Sequence, residues 1–233
     1  MKEFVKMTKT ELAVFILMSI ASGLVIGIGG AASLLANNLY GSWGRLIGAC
    51  LFTVGIYAIV MYEMRLFTGM VASIPKMGLK NTWKLPVCFL GNALGVAIVA
   101  LLVYYSPLAS NVVPQAKAVA AAKLTAENWP LKAFCSSILC GALITLSVWS
   151  VKYAKKKDLS ATLGVVFPIM IFAFCGFDHS VANTMYFYYY GFSWNAVWYT
   201  LLSIVGNIIG GVVLPLISLL REHSKKPENS SNQ

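Results

Sequence analysis

The sequence predicts an all-α integral membrane protein with six spanning helices. Of its 233 residues, 58% are hydrophobic and 11% are charged, whereas a soluble domain carries about 25% charge. Because a span needs roughly 20 apolar residues, the length allows six or seven spans in one domain. The net charge of +10 comes from basic residues clustered between apolar runs. That is the pattern of membrane-flanking charges, and it argues against a nucleic-acid partner.

The first half of the chain is predicted to hold three helices, at about 12–39, 43–64 and 85–105. After the second helix, the charged stretch 63–65 and the sequence Leu66-Phe67-Thr68-Gly69 interrupt the apolar run, which then resumes as far as position 75. Non-helical backbone at membrane depth is tolerated only where protein or a water-filled cavity satisfies it. We therefore predict that the second helix is broken here, beside such a cavity.

The second half is predicted to begin with an alanine-rich loop at 106–130, followed by helices at 131–154, 160–190 and 194–220. The fifth helix is expected to break at the stretch 177–183. Residues 222–233 are polar and are predicted to form a flexible tail, which leaves residues 1–221 as a single transmembrane domain.

The two halves repeat a pattern. A break containing Thr68 precedes Asn92 of a Gly-Asn-x-x-Gly motif by 24 residues, and a break containing His179 precedes Asn207 of a second such motif by 28. Since each half (about 12–105 and 131–220) has three spans, the repeats must have opposite orientations in the membrane. Inverted repeats with paired broken helices predict a substrate site at the bilayer midplane.

The stretch around His179 is the strongest candidate for a functional site. Apart from His223 it is the only histidine, and its neighbour Asp178 is the only acid between Asp158 and Glu222. Ionisable groups at membrane depth usually line a cavity, a pathway or a relay. The alternative is that the pair lies in a loop at the membrane interface. The five cysteines lack metal-ligand spacing, so neither a metal site nor a cofactor is expected.

Orientation follows from the basic residues. Thirteen Lys and Arg residues fall on the side of the two termini and four on the other. This asymmetry predicts a multi-pass protein of the cell (inner) membrane with both termini in the cytoplasm.

Two motifs resemble those of the formate/nitrite transporters. Leu66-Phe67-Thr68-Gly69 is similar to that family's omega loop, and Phe177-Asp178-His179-Ser180-Val181-Ala182-Asn183 is similar to its central-histidine motif. The resemblance implies an aquaporin-like fold and a homopentamer with one pore per protomer. It also implies that residues 1–221 form a channel domain that passes small monovalent anions such as formate, nitrite or hydrosulfide.

By this resemblance, Thr68 and His179 form the central polar site, and Leu66, Phe67 and Phe172 form an apolar constriction. By looser alignment, Phe52, Ile56 and Ile144 line the same pore, although aliphatic and aromatic residues at helical spacing are equally typical of plain core. Asn183 of the central-histidine motif is placed at the pore as well, and Asn92 and Asn207 of the repeated motif are placed near it.

The chain departs from the family pattern in two places. Asp178 stands where the family often has Glu, and Gly141 stands where relatives have Asn, which would remove an amide from the pore. The vestibule lysine of the family corresponds either to Lys123, with a small insertion, or to Lys132. Both are also in positions typical of headgroup anchors.

These residues predict a mechanism in which Thr68 and His179 orient an anion by hydrogen bonding. Imidazole titrates near neutrality, so His179 could also lend a proton to a weak-acid anion. Channel-like and proton-coupled passage therefore both remain open. One alternative is an intramembrane enzyme in which Asp178 orients His179 as the base for Ser180, although adjacent residues suit a nucleophile–base pair poorly. Another is a membrane anchor of a redox complex, which would need several histidines for haem. Transport, without enzyme activity, is the favoured prediction.

Overall fold

A computed structural model describes residues 7–154 and 159–224, and regular structure in those ranges is helical throughout. A 3₁₀ turn at Leu79–Asn81 precedes the third span. The α-helices are α1 Lys9–Leu39, α2 Gly41–Met61, α3 Phe67–Val71, α4 Ile74–Met77, α5 Lys84–Tyr104, α6 Ala109–Thr125, α7 Trp129–Tyr153, α8 Leu159–Cys175, α9 Ser180–Tyr190 and α10 Trp194–Ser224.

Six segments of the described chain are long and apolar enough to cross a membrane: α1, α2, α5, α7, α8 together with α9, and α10. The predicted six-span, all-α architecture is confirmed. Both predicted breaks are present as well. The chain leaves helical geometry between α2 and α3, where Glu63 has a φ of 52°, and between α8 and α9, where Gly176 has a φ of 73°.

The first break is held by Asn92 of α5, which is fully buried. Its side-chain carbonyl accepts the backbone N–H of Phe67 at 2.8 Å. Its amide nitrogen donates to the carbonyls of Arg65 and Ser19, each at 2.8 Å. One buried amide thus satisfies backbone groups on both sides of the break and ties them to α1, which is what irregular backbone at depth requires.

The second break is held in the same way by Asn207 of α10. Its carbonyl accepts the N–H of Ser180 at 2.9 Å, and its amide donates to the carbonyls of Asp178 at 2.9 Å and Ser137 at 2.8 Å. The predicted inverted repeat is therefore visible in matching hydrogen bonds. It also assigns Asn92 and Asn207 a structural task, since each fixes a broken helix.

These bonds set the register between the two repeats. Phe67 and Ser180 occupy equivalent places, because each gives its backbone N–H to the holding asparagine. Leu66 is accordingly the counterpart of His179. The sequence pattern aligned Thr68 with His179, so that alignment is off by two residues in the first repeat. The shift accounts for half of the difference between the two spacings, since Leu66 precedes Asn92 by 26 residues and His179 precedes Asn207 by 28.

Gly141 lies where α7 crosses α10. A Cβ added there would approach the Asn207 backbone, with Cα at 2.8 Å, and a Cβ at Gly23 would meet the Cα of Asn92 at 2.9 Å in the first repeat. The expectation that Gly141 removes an amide from the pore needs correction. Its missing side chain instead allows two helix backbones to approach closely.

We expect Gly141→Ala to destabilise the protein by roughly 1–3 kcal/mol, because the added methyl group forces the two helices apart. Gly69→Ala is the matched control, since a Cβ at Gly69 meets its nearest neighbour, Val148, at an ordinary 3.5 Å. Thermal unfolding in mild detergent measures both variants. Equal melting temperatures would contradict the assignment of Gly141 to this helix contact.

The expectation of a loop at 106–130 is wrong, since this region contains α6. Alanine is the best helix former, and a four-residue spacing places Val112, Ala116, Ala120 and Leu124 on one buried face of the helix. That face packs chiefly against α9 and α1. The helix is too polar to be a span, and it carries Lys123 towards the second break.

The C-terminal boundary also differs from the prediction, because α10 continues to Ser224. Glu222 forms an ion pair with Lys76 of α4, with Oε2 and Nζ 3.1 Å apart, so the helix end contacts the short helices that follow the first break. The rest of the predicted tail, 225–233, lies outside the described residues. So does the basic cluster 155–157.

Candidate pore and its two vestibules

The two breaks meet at Thr68 and His179. Thr68 is the second residue of α3 and His179 is the N-cap of α9. The threonine Oγ1 lies 3.0 Å from the imidazole Nε2, and each residue is 1% exposed. The structure therefore brings the two predicted central residues into direct hydrogen bonding.

The backbone around His179 determines which nitrogen carries the proton. Its Nδ1 accepts the N–H of Ala182 at 3.2 Å, so Nδ1 must present a lone pair. In neutral imidazole the proton then resides on Nε2, and Nε2–H donates to the Oγ1 of Thr68. The hydroxyl keeps its own proton for another acceptor, and the pair thus offers hydrogen-bond donors to an anion.

A cavity of about 420 Å³ opens on one side of this pair, and we call it the Lys123 vestibule. His179 lines it together with Asn183 of α9 and both lysine candidates, Lys123 and Lys132. Its lining runs from the exposed Lys132 to the buried His179, which makes it a funnel to the centre. A positively charged funnel concentrates anions by focusing the potential.

Two aromatic side chains line this vestibule beside the central pair. The rings of Phe52 and Phe172 meet edge-on with centroids 5.7 Å apart, and the ring of Phe172 lies 5.8 Å from that of His179. Both phenylalanines are buried and line the vestibule. The predicted positions of Phe52 and Phe172 beside the pore fit this geometry.

A second cavity, of about 390 Å³, lies on the other side and is called here the Arg65 vestibule. Ile56 and Leu66 line it, and Lys152 is a second basic residue on its wall. Ile56 follows Phe52 by one turn of α2, so the two side chains flank the centre from opposite vestibules. One helical turn rises about 5.4 Å, which makes the barrier between the vestibules thin.

Phe67 and Ile144 lie elsewhere. Phe67 is 3% exposed, and its ring packs edge-on against Phe89 of α5 with centroids 5.5 Å apart. Ile144 is completely buried, and neither residue lines either vestibule. The structure therefore places both in the packing around the pore, in contrast to the expectation that they form its wall.

Asp178 is held by three side chains. Its Oδ1 accepts from Lys123 Nζ at 2.5 Å and from Asn183 Nδ2 at 2.9 Å, and its Oδ2 accepts the hydroxyl of Tyr199 at 2.9 Å. The Lys123 Nζ also lies 5.7 Å from the centroid of the Tyr199 ring. Asp178 thus pairs with Lys123, while the ring nitrogens of His179 have other partners. Tyr199 was missed by sequence reasoning, because nothing in its own neighbourhood signals a contact with a residue 21 positions away.

Among the residues that it describes, the structure lacks the contacts that the enzyme alternative requires. It required Asp178 to orient His179, and the carboxylate is engaged elsewhere. It also required Ser180 as nucleophile, yet the hydroxyl of Ser180 is buried without a hydrogen-bond partner in the described parts of the chain. Within residues 7–154 and 159–224, no cluster of acids, histidines or cysteines could hold a metal ion.

Known proteins share both the sequence pattern and the fold. The family model described as formate/nitrite transporter matches residues 1–220. A probable formate transporter of Methanothermobacter thermautotrophicus is 28% identical over 247 residues, covering 88% of this chain and 87% of the relative. The nitrite transporter NirC of Salmonella typhimurium is 28% identical, covering 85% and 79%. Among solved structures, a pentameric formate channel with formate bound matches with a TM-score of 0.79 at 19% identity, covering 94% of this chain and 100% of that one. That last likeness concerns the fold, but the family model spans nearly the whole sequence, and the chain therefore belongs to the formate/nitrite transporter family.

Proposed function

We propose that this protein passes small monovalent weak-acid anions (formate, nitrite or hydrosulfide) through a pore centred on Thr68 and His179. The observation that carries the proposal is the position of this pair. It lies between two vestibules that both contain basic residues, with apolar side chains on either side. Membership of the family, and relatives named for formate and nitrite, support the choice of substrate.

In the proposed pathway, an anion gathers in a vestibule and loses water at an apolar ring. For the Lys123 vestibule that ring is formed by Phe52 and Phe172. A bare anion in such surroundings costs several kcal/mol unless it finds hydrogen bonds. The Nε2–H of His179 and the hydroxyl of Thr68 supply them at the narrowest point.

The same pair can pass a proton. A charged His179 ring carries a proton on Nδ1 and must break its bond to Ala182, so the charged ring is a short-lived state. It returns to the neutral form by giving the Nε2 proton, which faces the bound anion, to that anion, which then leaves as the neutral acid. Loss of the Nδ1 proton to solvent and uptake of a proton at Nε2 then restore the resting tautomer. Transport in this scheme is proton-coupled through His179.

The experiment is a flux assay in proteoliposomes. Formate, nitrite and hydrosulfide should cross at rates that saturate with concentration, whereas acetate, which is larger, and chloride, which cannot be protonated, should cross much more slowly. Flux of all three anions no faster than in protein-free liposomes would overturn the proposed function.

We also propose a homopentamer with one pore in each protomer. The resemblance and the pentameric structural neighbour support it, and large apolar side chains are exposed along every span, available for contacts with lipid and between protomers. Native mass spectrometry from mild detergent should give roughly five times the 25.3 kDa chain mass. A monomeric mass under the same conditions contradicts the proposal.

The proposed location is the inner membrane with both termini in the cytoplasm, so that the Lys123 vestibule faces outwards. The bias of basic residues towards the side of the termini supports this orientation. In a cysteine-free background, an impermeant thiol reagent applied to intact cells should label Lys117→Cys and spare Lys76→Cys. The reverse labelling pattern would invert the orientation.

A further inference from the structure

The free positive charge of the Lys123 vestibule does not belong to Lys123. Three basic residues line this cavity: Arg45, Lys123 and Lys132. The ammonium of Lys123 is neutralised by Asp178, and its side chain is only 18% exposed. Across the described ranges, neither Arg45 nor Lys132 forms an ion pair or a side-chain hydrogen bond, so an anion arriving in the cavity meets those two charges.

Arg45 belongs to a polar wall made by α1 and α2. Ser33 and Asn37 lie one turn apart on α1 and line the same cavity as Arg45. They face Gly48, three residues after Arg45 on α2. A Cβ added at Gly48 would lie 2.8 Å from the hydroxyl of Ser33 and 3.3 Å from the amide nitrogen of Asn37. The glycine therefore leaves room for two further hydrogen-bond donors in the cavity that Arg45 lines.

The guanidinium also lies close to the second break. A Cβ built at Gly176 would be 3.5 Å from Nη2 of Arg45, and Gly176 has the positive φ that begins the break ending at His179. The guanidinium thus lies beside the backbone that leads to His179, in a cavity that His179 also lines.

We propose that Arg45, with Ser33 and Asn37, forms an anion-binding subsite that selects planar oxyanions before they reach Thr68 and His179. A guanidinium presents parallel N–H groups that match two oxygens on one atom, and such bidentate pairs are stronger and more directional than a point charge. Formate and nitrite have this geometry, whereas hydrosulfide has a single sulfur. The inference rests on the proposed function and adds to it a residue that discriminates among its substrates.

The test compares Arg45→Lys with Arg45→Gln in proteoliposomes, using formate, nitrite and hydrosulfide as probes. Loss of the charge in Arg45→Gln should raise the half-saturating concentration of all three anions by roughly fivefold. Arg45→Lys keeps the charge and loses the parallel N–H groups of the guanidinium. It should raise the half-saturating concentration of formate and nitrite by about threefold and leave that of hydrosulfide unchanged.

Two variants serve as comparisons. Lys132→Gln removes the other unpaired charge of the vestibule and should raise the half-saturating concentrations of all three anions by the same factor. Asn37→Ala should raise the half-saturating concentrations of formate and nitrite more than that of hydrosulfide. Elution of each variant at the wild-type position in size-exclusion chromatography shows that it is folded.

The outcomes separate this inference from the proposed function. If wild-type protein passes none of the anions, the function itself fails. If wild-type flux saturates and Arg45→Lys changes the three half-saturating concentrations by the same factor, or Arg45→Gln changes none of them, the subsite is overturned and the pore remains.

Discussion

Replacing His179 with Asn should remove the pH dependence of anion flux and leave the protein folded and conducting. Asparagine is among the best N-cap residues, so it can accept the N–H of Ala182 in place of Nδ1. Its side-chain amide keeps a hydrogen-bond donor at the centre. What it cannot do is take up and release a proton, so flux carried with a proton through the imidazole is lost, which leaves ion conduction alone.

The measurement is the initial rate of formate flux between pH 5 and 8. In wild-type protein, more rings are charged as the pH falls, so the rate should rise by up to roughly tenfold for each unit of pH. The rate in His179→Asn should vary only with the supply of anion. An unchanged profile in this variant would mean that the proton comes from elsewhere, and Lys123 would be the next candidate.

Thr68→Val is the matched control. Valine has nearly the shape of threonine and lacks the hydroxyl, so the anion loses one hydrogen bond at the centre while His179 still titrates. A hydrogen bond to a charged group contributes about 1.5–3 kcal/mol, so flux should fall by tenfold or more at every pH. The shape of the pH profile should stay as in wild type, because positioning and protonation belong to different residues.

The broken helices could be predicted because a break at membrane depth conflicts with its surroundings. Charges and glycine inside an apolar run mark the first break, and the only acid–histidine pair in a long uncharged segment marks the second. The repeated Gly-Asn-x-x-Gly motif also singled out Asn92 and Asn207 in the sequence. What each asparagine does could not be predicted, since its partners lie on other helices.

Contacts between residues far apart in the chain could not be predicted from the sequence. Lys123 and Asp178 are 55 residues apart, and Lys123 was predicted to lie in a loop because α6 has too little apolar sequence for a span. In the sequence, the buried face of α6 is signalled only by four apolar residues at four-residue spacing. The motif also could not tell which of its apolar residues faces the pore. Leu66 and Phe67 are adjacent, so their side chains point in different directions, and only Leu66 lines a vestibule.

Replacing Phe172 with Ala should loosen selectivity with little loss of stability, whereas Phe67→Ala should do the opposite. The two residues are equally buried, each 3% exposed, so burial alone does not distinguish them. The ring of Phe172 borders the Lys123 vestibule, and the space that it leaves joins a wet cavity. The ring of Phe67 packs on Phe89, and its loss leaves a closed apolar void, which stays empty and costs about 3–5 kcal/mol.

The pair of variants therefore makes opposite predictions in two assays. Acetate flux relative to formate flux should increase severalfold in Phe172→Ala, since widening the apolar ring admits a larger anion, and should stay at the wild-type ratio in Phe67→Ala. Thermal unfolding in detergent should rank them the other way, with Phe67→Ala melting well below wild type and Phe172→Ala close to it. If Phe172→Ala unfolds as readily as Phe67→Ala and keeps the wild-type anion ratio, Phe172 belongs to the core, and the apolar barrier on that side rests on Phe52 alone.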